Sequence, residues 1–399
     1  MKKRKILITT DWYEPTINGV VTSVVTLKEQ LKKLGCEVCI ATPSPDGRGR
    51  RTGDVFYLPS VSASRIYPGA RASLLSGAYV SQLISWGPDL IHSQCEFSSF
   101  LTAKRIAGAL GIPIVHTYHT VYEDYTHYFS AGRPWGKRAA ALFSRFVLER
   151  TDRVIVPTKK VERLLLEYGV DRPIEVIPTG IRTERFALPG GGQEERRRIR
   201  ESLGIKKGRT VLLALGRLAK EKNLEELILF FDAMDEPETE LVIAGDGPER
   251  EALTALAGRQ KSRERIHFAG RIPFEETPAL YHAADLFVCA SQSETQGITY
   301  LEALSCGLPV VCRKDACVEG IVRDGQNGYT YESQEEFAAF CRLLAADGER
   351  RRRFGASALE TGRKFDAGHF GEQVLQAYGR TLCGAFPAKR ALRMARSEL

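Results

Sequence analysis

The chain has 399 residues, of which 43% are hydrophobic and 27% charged, and its formal net charge is +8. This length suits two domains of ordinary size, and the apolar share can fill two hydrophobic cores. We recognise no signal peptide and no run of about 18 apolar residues, so we expect no membrane-spanning helix. The nine cysteines are scattered, which suits a reducing cytoplasm, and the single C-x-x-C, Cys36 to Cys39, lacks the second pair that a zinc site needs.

The amino-terminal half alternates short apolar runs with helical patterns, which is typical of a parallel α/β sheet. The predicted strands are Arg4–Thr10, Glu37–Ala41, Leu90–Ser93 and Ile112–Val115. A helix should begin near Gly19 and end at about Leu34. Gly19 would let the backbone approach a ligand closely, although a glycine that merely starts a helix gives the same local pattern.

Two histidines and an aromatic loop follow the strand at Ile112–Val115. His119 lies just past the strand, where ligands usually bind an α/β sheet. His116 should support the sheet, because strand alternation points it away from its neighbours. The loop after His119 mixes aromatic and polar side chains, which suits contact with an amphipathic ligand, through Tyr122, Asp124, Tyr125 and His127. The alternative is a packed loop that leads into a helix over Trp135–Arg150.

The excess positive charge is confined to this half of the chain. Residues 1–185 contain 26 Lys and Arg against 17 Asp and Glu, so the remainder is close to neutral. The cations that are mixed with apolar residues are Arg65, Arg71, Lys137, Arg138 and Arg145. We expect these residues to contact an anionic membrane surface, with the protein on the membrane rather than in it. A solvated face would show the same charges, and no recognisable nucleic-acid module is present.

A linker over 181–200, centred on Pro189–Gly192, should separate the two halves. The predicted strands beyond it are Thr210–Leu215, Leu241–Ala244, Ile266–Gly270 and Leu286–Ala290. Arg217 and Lys222 follow the first of these strands, and a guanidinium with an ammonium suits a diphosphate leaving group. Gly245 makes a tight turn after the second strand, and Arg271 with Ile272 follows the third.

The most informative segment is Ser293–Glu302, which places Glu294 in a loop after a strand and Glu302 about two turns into a helix. The residues between them open a helix amino terminus, where hydrogen bonds and the helix dipole favour a phosphate. These residues are Thr295, Gln296, Gly297, Ile298 and Thr299. One carboxylate could hold sugar hydroxyls and the other a ribose diol. An N-cap glutamate followed by a surface glutamate has the same spacing, but the surrounding strand ends favour a nucleotide-sugar site.

In this order and register, the motifs resemble those of the family-four retaining glycosyltransferases, over nearly the whole chain. That family has an α/β fold with two facing Rossmann-like domains and an interdomain cleft, the GT-B architecture. The resemblance implies that Arg217 and Lys222 hold the donor diphosphate, and that Glu294 and Glu302 contact the donor sugar and the ribose. It also implies that Gly19 abuts the donor phosphate, that His119 lies beside the reacting centre, and that Gly245, Arg271 and Ile272 line the base pocket.

Gln296 departs from many members of the family, which carry an aromatic or aliphatic residue before the glycine. Glu294–Gly297 looks most like the branch that glucosylates diacylglycerol, and that branch also has a tyrosine-rich loop after the histidine. The resemblance therefore makes Tyr122, Asp124, Tyr125 and His127 acceptor-binding residues, and His119 and Glu294 catalytic ones. No D-x-D motif is present, so we expect a site that needs no metal.

We therefore expect an acceptor-binding domain over 1–180, with a last helix at 365–383 packing back on it, and a nucleotide-sugar domain over 201–364. Residues 384–399 should form a basic tail. The predicted activity is retaining transfer of a hexose, which we expect to be glucose from UDP-glucose, to diacylglycerol at the cytoplasmic membrane surface. The alternatives are a transferase with another lipid or a soluble acceptor, and a sugar-nucleotide epimerase.

Overall fold

We describe the protein from a computed structural model, which covers residues 3–16, 18–64, 69–74, 77–123, 134–186 and 192–397. The chain divides into two compact units. Unit 1 consists of Met1–Gly180 with Ala367–Leu399, and unit 2 consists of Ile181–Asp366.

Unit 1 alternates strands and helices along most of its length. Its strands are β1 (Lys5–Thr9), β2 (Glu37–Pro43), β3 (Arg50–Thr52), β4 (Val55–Leu58), β5 (Ser60–Ser62), β6 (Arg71–Ser73), β7 (Leu90–Ser93), β8 (Ile114–Thr117), β9 (Arg153–Val156) and β10 (Ile174–Val176). Its helices are α1 (Gly19–Lys33), α2 (Gly77–Trp86), α3 (Ser98–Leu110), α4 (Pro134–Leu148), α5 (Lys159–Glu167) and α13 (Ala367–Ser397).

Eight of these strands form one sheet in the order β10-β9-β8-β7-β1-β2-β4-β3, which is parallel except for the β3–β4 pair. The central strands are apolar on both faces, because helices cover both faces. Ile6 and Ile8 of β1 lie in a core with side chains of α1 and α13, whereas Leu7 lies in a second core with side chains of α2 and α3. The side chain of Asn18 caps α1 by accepting a hydrogen bond of 2.9 Å from Val21 N.

Unit 2 has a second sheet with the same construction. Its strands are β11 (Thr210–Leu215), β12 (Thr239–Ala244), β13 (Ile266–Gly270), β14 (Leu286–Cys289), β15 (Val310–Arg313) and β16 (Gly328–Tyr331). Its helices are α6 (Gly192–Ser202), α7 (Leu224–Met234), α8 (Arg250–Ala257), α9 (Thr277–Ala283), α10 (Ile298–Ser305), α11 (Gln334–Ala346) and α12 (Gly348–Arg363).

The strands of unit 2 are parallel and follow the order β13-β12-β11-β14-β15-β16. Leu212 and Ala214 of β11 face one core, and Val211 and Leu213 face the other. The strand order reverses at β11: strands β12 and β13 lie on one side of it, and β14, β15 and β16 lie on the other. Ligands of open α/β sheets bind at such a switch point, outside the carboxyl ends of the strands.

Two segments differ from the sequence-based expectations. The predicted linker contains α6, which is fixed within unit 2 because Arg196 and Arg200 both bind the carboxylate of Asp285, at 2.6 and 2.7 Å. The predicted last helix lies within α13, whose backbone continues to Ser397 and so includes most of the predicted tail. α13 packs closely on α1, since a Cβ added at Gly371 would lie 2.5 Å from the Cβ of Gln30.

Candidate functional site

The predicted donor residues of unit 2 lie at the carboxyl ends of adjacent strands. Arg217 and Lys222 follow β11, Gly245 follows β12, and Arg271 follows β13. Glu294 follows β14, on the other side of β11. Because the strands are parallel, all these residues lie at the same edge of the sheet.

Lys222 and Glu294 form an ion pair between Nζ and Oε1, and both side chains are partly buried. The two loops are also joined through the carbonyl oxygen of Glu221, which accepts hydrogen bonds of 3.2 Å from the hydroxyls of Ser291 and Ser293. These contacts bring a cation and a carboxylate together from residues that are 72 positions apart in the chain. The ion pair holds the two side chains next to each other, so that Lys222 could bind a phosphate and Glu294 a neighbouring sugar hydroxyl.

Gly297 shows why this loop needs a glycine. Its φ of 71° lies in the left-handed region, and an added Cβ would lie 2.3 Å from the ring of Tyr300. Gly297 is the N-cap of α10, which begins at Ile298. Glu302 therefore lies in the second turn of α10 and not two full turns in, because the helix starts later than the spacing suggested.

Gly245 has a packing role that the sequence did not reveal. Its φ is 133°, and a Cβ at this position would lie 1.8 Å from the carbonyl oxygen of Gly216. The loops after β11 and β12 therefore touch backbone to backbone. Any side chain at Gly245 would push them apart and displace the segment that carries Arg217.

Glu302 is 7% exposed, and its Oε2 accepts a hydrogen bond of 2.8 Å from the hydroxyl of Tyr281. Burial raises the pKa of Glu302 to about 7, while the Tyr281 hydrogen bond and the positive charge of Arg185 oppose the rise. Tyr281, on α9, is fully buried. Sequence reasoning missed it, because nothing in the local pattern connects a core tyrosine with a carboxylate 21 residues later.

The other predicted donor residues differ in exposure. Gln296 is 3% exposed, so most of its side chain is packed in the protein. Arg217, Ile272, Thr295, Ile298 and Thr299 are partly buried, and Arg271 is exposed. In unit 1, Gly19 is exposed at the first position of α1. An exposed backbone at a helix amino terminus is accessible to an anion.

His119 lies two residues beyond β8, and its Nε2 is 2.7 Å from Oε1 of Gln94, which follows β7. Burial lowers the pKa of His119 to about 3, and nearby His116 adds to the decrease, so the imidazole is neutral at physiological pH. His116 lies within β8 and is fully buried, with Nε2 3.2 Å from Oε1 of Glu96. The two histidines thus have different partners, Gln94 and Glu96, in the loop after β7.

Of the predicted acceptor residues, the structure describes only Tyr122. Its hydroxyl donates a hydrogen bond of 2.5 Å to Oε2 of Glu96, a buried residue that sequence reasoning did not single out. Asp124, Tyr125 and His127 lie outside the described residues. The only sequence signal for Glu96 is its position three residues beyond β7, at the carboxyl edge of the sheet.

The predicted membrane residues fall in different environments. Lys137, Arg138 and Arg145 are exposed on α4, and Arg145 also binds Glu149 at 2.7 Å. Arg71 is partly buried, and its guanidinium donates to the hydroxyl and the carbonyl of Ser60, at 2.8 and 3.1 Å. Arg65 lies outside the described residues.

Large apolar side chains accompany the cations of α4. Trp135, Leu142 and Phe146 are 53%, 68% and 56% exposed. Residues at this spacing share one face of a helix. In the described part of the chain, no helix is both long and apolar enough to cross a membrane. The same residues contain no group of three or more His, Cys, Asp or Glu side chains that could hold a metal ion.

Comparison with protein families matches both units. Residues 17–185 match the model described as Glycosyltransferase Family 4, and residues 195–361 match that of glycosyl transferases group 1. The alpha-monoglucosyldiacylglycerol synthase of Streptococcus pneumoniae is 37% identical to this chain, over 84% of the chain and 76% of its own length. The enzyme of the same name from Acholeplasma laidlawii is 33% identical, over 83% of this chain and 86% of its own length.

Solved structures show the same fold. Sucrose-phosphate synthase from Thermosynechococcus elongatus has a TM-score of 0.78 and 20% identity, and the match covers 96% of this chain and all of that one. HepE from Anabaena, in complex with UDP and glucose, has a TM-score of 0.73 and 18% identity, with 94% of this chain and all of that one covered. The predicted family and fold are confirmed: the chain belongs to the family-four glycosyltransferases and has the GT-B fold, with two Rossmann-like domains.

Proposed function

We propose that this glycosyltransferase moves glucose from UDP-glucose to diacylglycerol, with retention of configuration at the anomeric carbon. The observation that carries the donor half of the proposal is the Lys222–Glu294 ion pair at the carboxyl edge of the unit 2 sheet. A diphosphate sugar presents phosphate oxygens and hydroxyls side by side, and this pair offers a cation and a carboxylate side by side.

The other donor contacts follow from the chemistry of each group. Arg217 can fork two phosphate oxygens, and Lys222 can act as a point charge on the same diphosphate. Glu302, held by Tyr281, is suited to the two hydroxyls of a ribose. Glu294 would accept hydrogen bonds from sugar hydroxyls. Gly297 and the amino terminus of α10 add the positive end of a helix dipole.

In the proposed reaction, the bond between the anomeric carbon and the diphosphate oxygen breaks, and a bond to the acceptor hydroxyl oxygen forms. The acceptor proton goes to the departing diphosphate on the same face of the sugar, which gives retention. His119 is neutral, so it can donate or accept a hydrogen bond but carries no positive charge. We therefore place it beside the sugar and not as a cation on the diphosphate.

The cations Arg217 and Lys222 supply positive charge for the leaving group, so we propose that transfer needs no metal. Enzyme treated with EDTA and assayed in EDTA should keep its full rate. A rate lost in EDTA and restored by Mg²⁺ or Mn²⁺ would contradict this part of the proposal.

Support for the acceptor comes from two relatives above 30% identity, both named alpha-monoglucosyldiacylglycerol synthases. We propose that unit 1 binds this lipid, with Tyr122, Asp124, Tyr125 and His127 at the acceptor. The exposed side chains of α4 include Trp135, Leu142 and Phe146 together with three cations, a mixture that suits the interfacial region of an anionic membrane. We accordingly propose that the enzyme works on the cytoplasmic face of the cell membrane.

The test is a product assay with radiolabelled UDP-glucose, UDP-galactose and GDP-mannose, each with and without diacylglycerol in mixed micelles. The proposal expects labelled lipid only from UDP-glucose with diacylglycerol. Label in another lipid or in a soluble product would assign a different acceptor. Conversion of UDP-glucose into another nucleotide sugar without any acceptor would indicate an epimerase.

A further inference from the structure

A second polar cluster lies in unit 1, at the start of α3, and the donor contacts above do not use it. Glu96 is buried between His116 and Tyr122, at 3.2 Å and 2.5 Å. Asp11 lies close by, with Oδ1 accepting hydrogen bonds from the hydroxyl of Ser98 at 2.6 Å and from Ser99 N at 3.0 Å. The cluster lies at the carboxyl ends of β1, β7 and β8, which are neighbours in the sheet.

Several buried polar atoms of this cluster lack a hydrogen-bond partner among the described residues. They are Oδ2 of Asp11, Nε2 of Gln94 and Nδ1 of His116. Gln94 and His116 are almost completely buried. Buried polar groups in folded proteins are normally satisfied by protein, water or ligand. A ligand that carries hydroxyl groups can both donate and accept hydrogen bonds, so it suits such a cluster, whereas an acyl chain alone does not.

An exposed apolar ridge at the start of α3, formed by Phe97 just before the helix and Leu101 within it, adjoins the polar cluster. Phe97 directly follows Glu96 and is 53% exposed, and Leu101, one turn further on, is also exposed. The ring of Phe97 stacks on Phe143 of α4 at 5.6 Å and meets the edge of Tyr122 at 5.9 Å. A carboxylate and a phenol therefore lie beside solvent-exposed apolar carbon. This juxtaposition matches a molecule with a hydroxylated head and apolar chains.

The direction of the short hydrogen bond decides the role of the phenol. Glu96 has no proton to give when it is ionised, so Tyr122 donates its own proton to the carboxylate. The phenolic oxygen is then left with lone pairs only. It can accept a hydrogen bond from an acceptor hydroxyl, and the neighbouring negative charge makes it a better acceptor.

We propose that the cluster at the start of α3 is the head-group subsite for the lipid acceptor, in which Glu96 orients Tyr122 to accept a hydrogen bond from the glycerol hydroxyl. Phe97 and Leu101 contact the first carbons of the acyl chains. Glu96 is a positioning residue here, since it acts through Tyr122. This assignment rests on the proposed function, because it presumes a diacylglycerol acceptor.

The test compares two reactions of the same enzyme: transfer to diacylglycerol, and the slow hydrolysis of UDP-glucose, in which water replaces the lipid. The variants are E96Q, Y122F, the double variant and F97A, with F97L as the conservative control. E96Q and Y122F should each raise the KM for diacylglycerol about tenfold and leave the KM for UDP-glucose and the hydrolysis rate within about twofold. The double variant should be no worse than the poorer single variant, because both changes break one contact.

The apolar part of the subsite is tested separately. F97A should raise the KM for diacylglycerol, and F97L should have a KM close to that of the unmodified enzyme. Phe97 is half-exposed, so both variants should fold. An unchanged KM for diacylglycerol in E96Q and Y122F would overturn the inference. So would a parallel loss of hydrolysis and thermal stability, which would show a purely structural pair. If the unmodified enzyme transfers nothing to diacylglycerol, the proposed function itself fails, and this outcome is distinct from both.

Discussion

The binding of UDP-glucose should depend on pH through Glu302. This carboxylate is buried with a pKa of about 7, and it must be ionised to accept hydrogen bonds from both ribose hydroxyls. With that pKa, the Glu302 carboxyl is ionised in about nine-tenths of the enzyme molecules at pH 8 and in about one-tenth at pH 6. The Kd for UDP-glucose should therefore rise about tenfold between pH 8 and pH 6, as measured by titration calorimetry.

Two variants separate this explanation from other titrating groups. In E302Q the Kd should be higher at pH 8 and nearly independent of pH, because a neutral amide replaces the titrating carboxyl. In Y281F the midpoint should move to higher pH, because the Tyr281 hydrogen bond lowers the pKa of Glu302. Y331F is the matched control, since Tyr331 is also fully buried but donates to Glu226, at 3.0 Å.

The reasoning is refuted if the unmodified enzyme binds UDP-glucose equally well at pH 6 and pH 8. It is also refuted if E302Q shows the same pH dependence as the unmodified enzyme, since some other group would then be titrating. A midpoint that moves equally in Y281F and Y331F would remove the specific role of Tyr281.

Three further outcomes are expected. K222A and E294A should each lower kcat at least about a hundredfold without loss of secondary structure by circular dichroism, since each removes a contact to the leaving group or the sugar; near-normal turnover would remove these residues from the site. The variant K137Q/R138Q/R145Q should bind phosphatidylglycerol vesicles more weakly than the unmodified enzyme in cosedimentation at low salt. The control variant K206Q/K207Q/K261Q, which replaces three exposed cations of unit 2, should bind normally. Equal binding by the two variants would show that the cations of α4 only face solvent. E302Q should unfold at a higher urea concentration than the unmodified enzyme at pH 8 but not at pH 4. The raised pKa of Glu302 stabilises the folded enzyme below about pH 4.5, and this stability, about 3 kcal/mol, is lost as the pH rises through about 7. A difference between the two proteins that does not change with pH would contradict the assignment.

The framework of the fold could be predicted from local sequence. The predicted apolar runs that end at Leu215, Ala244 and Ala290 contain strands, and the residues that follow them lie at one edge of a parallel sheet. This edge placement depends only on strand direction, so Lys222 and Glu294 could be expected near each other. The linker was less predictable, because a glycine-rich run favours a flexible connection, and the contacts of the α6 arginines with Asp285 leave no local pattern.

The contacts that tune the site could not be predicted. Tyr281 and Glu302 meet across two helices, and Tyr122 and Glu96 meet across two loops, so neither pair leaves a local pattern. The raised pKa of Glu302 follows from burial, which depends on the whole core of unit 2. Gly245 was predicted to line a pocket, but its close approach to Gly216 becomes visible only when the two loops are placed together.

The most direct test of the account is the structure of the product formed from UDP-glucose and diacylglycerol. Purified enzyme should convert the two into a single glycolipid, and NMR should show an α-linked glucose on the free glycerol hydroxyl, which is the configuration of the donor. A β-linked product would contradict retention. The absence of any glucosylated diacylglycerol, with the glucose transferred to another acceptor, would contradict the proposed function itself.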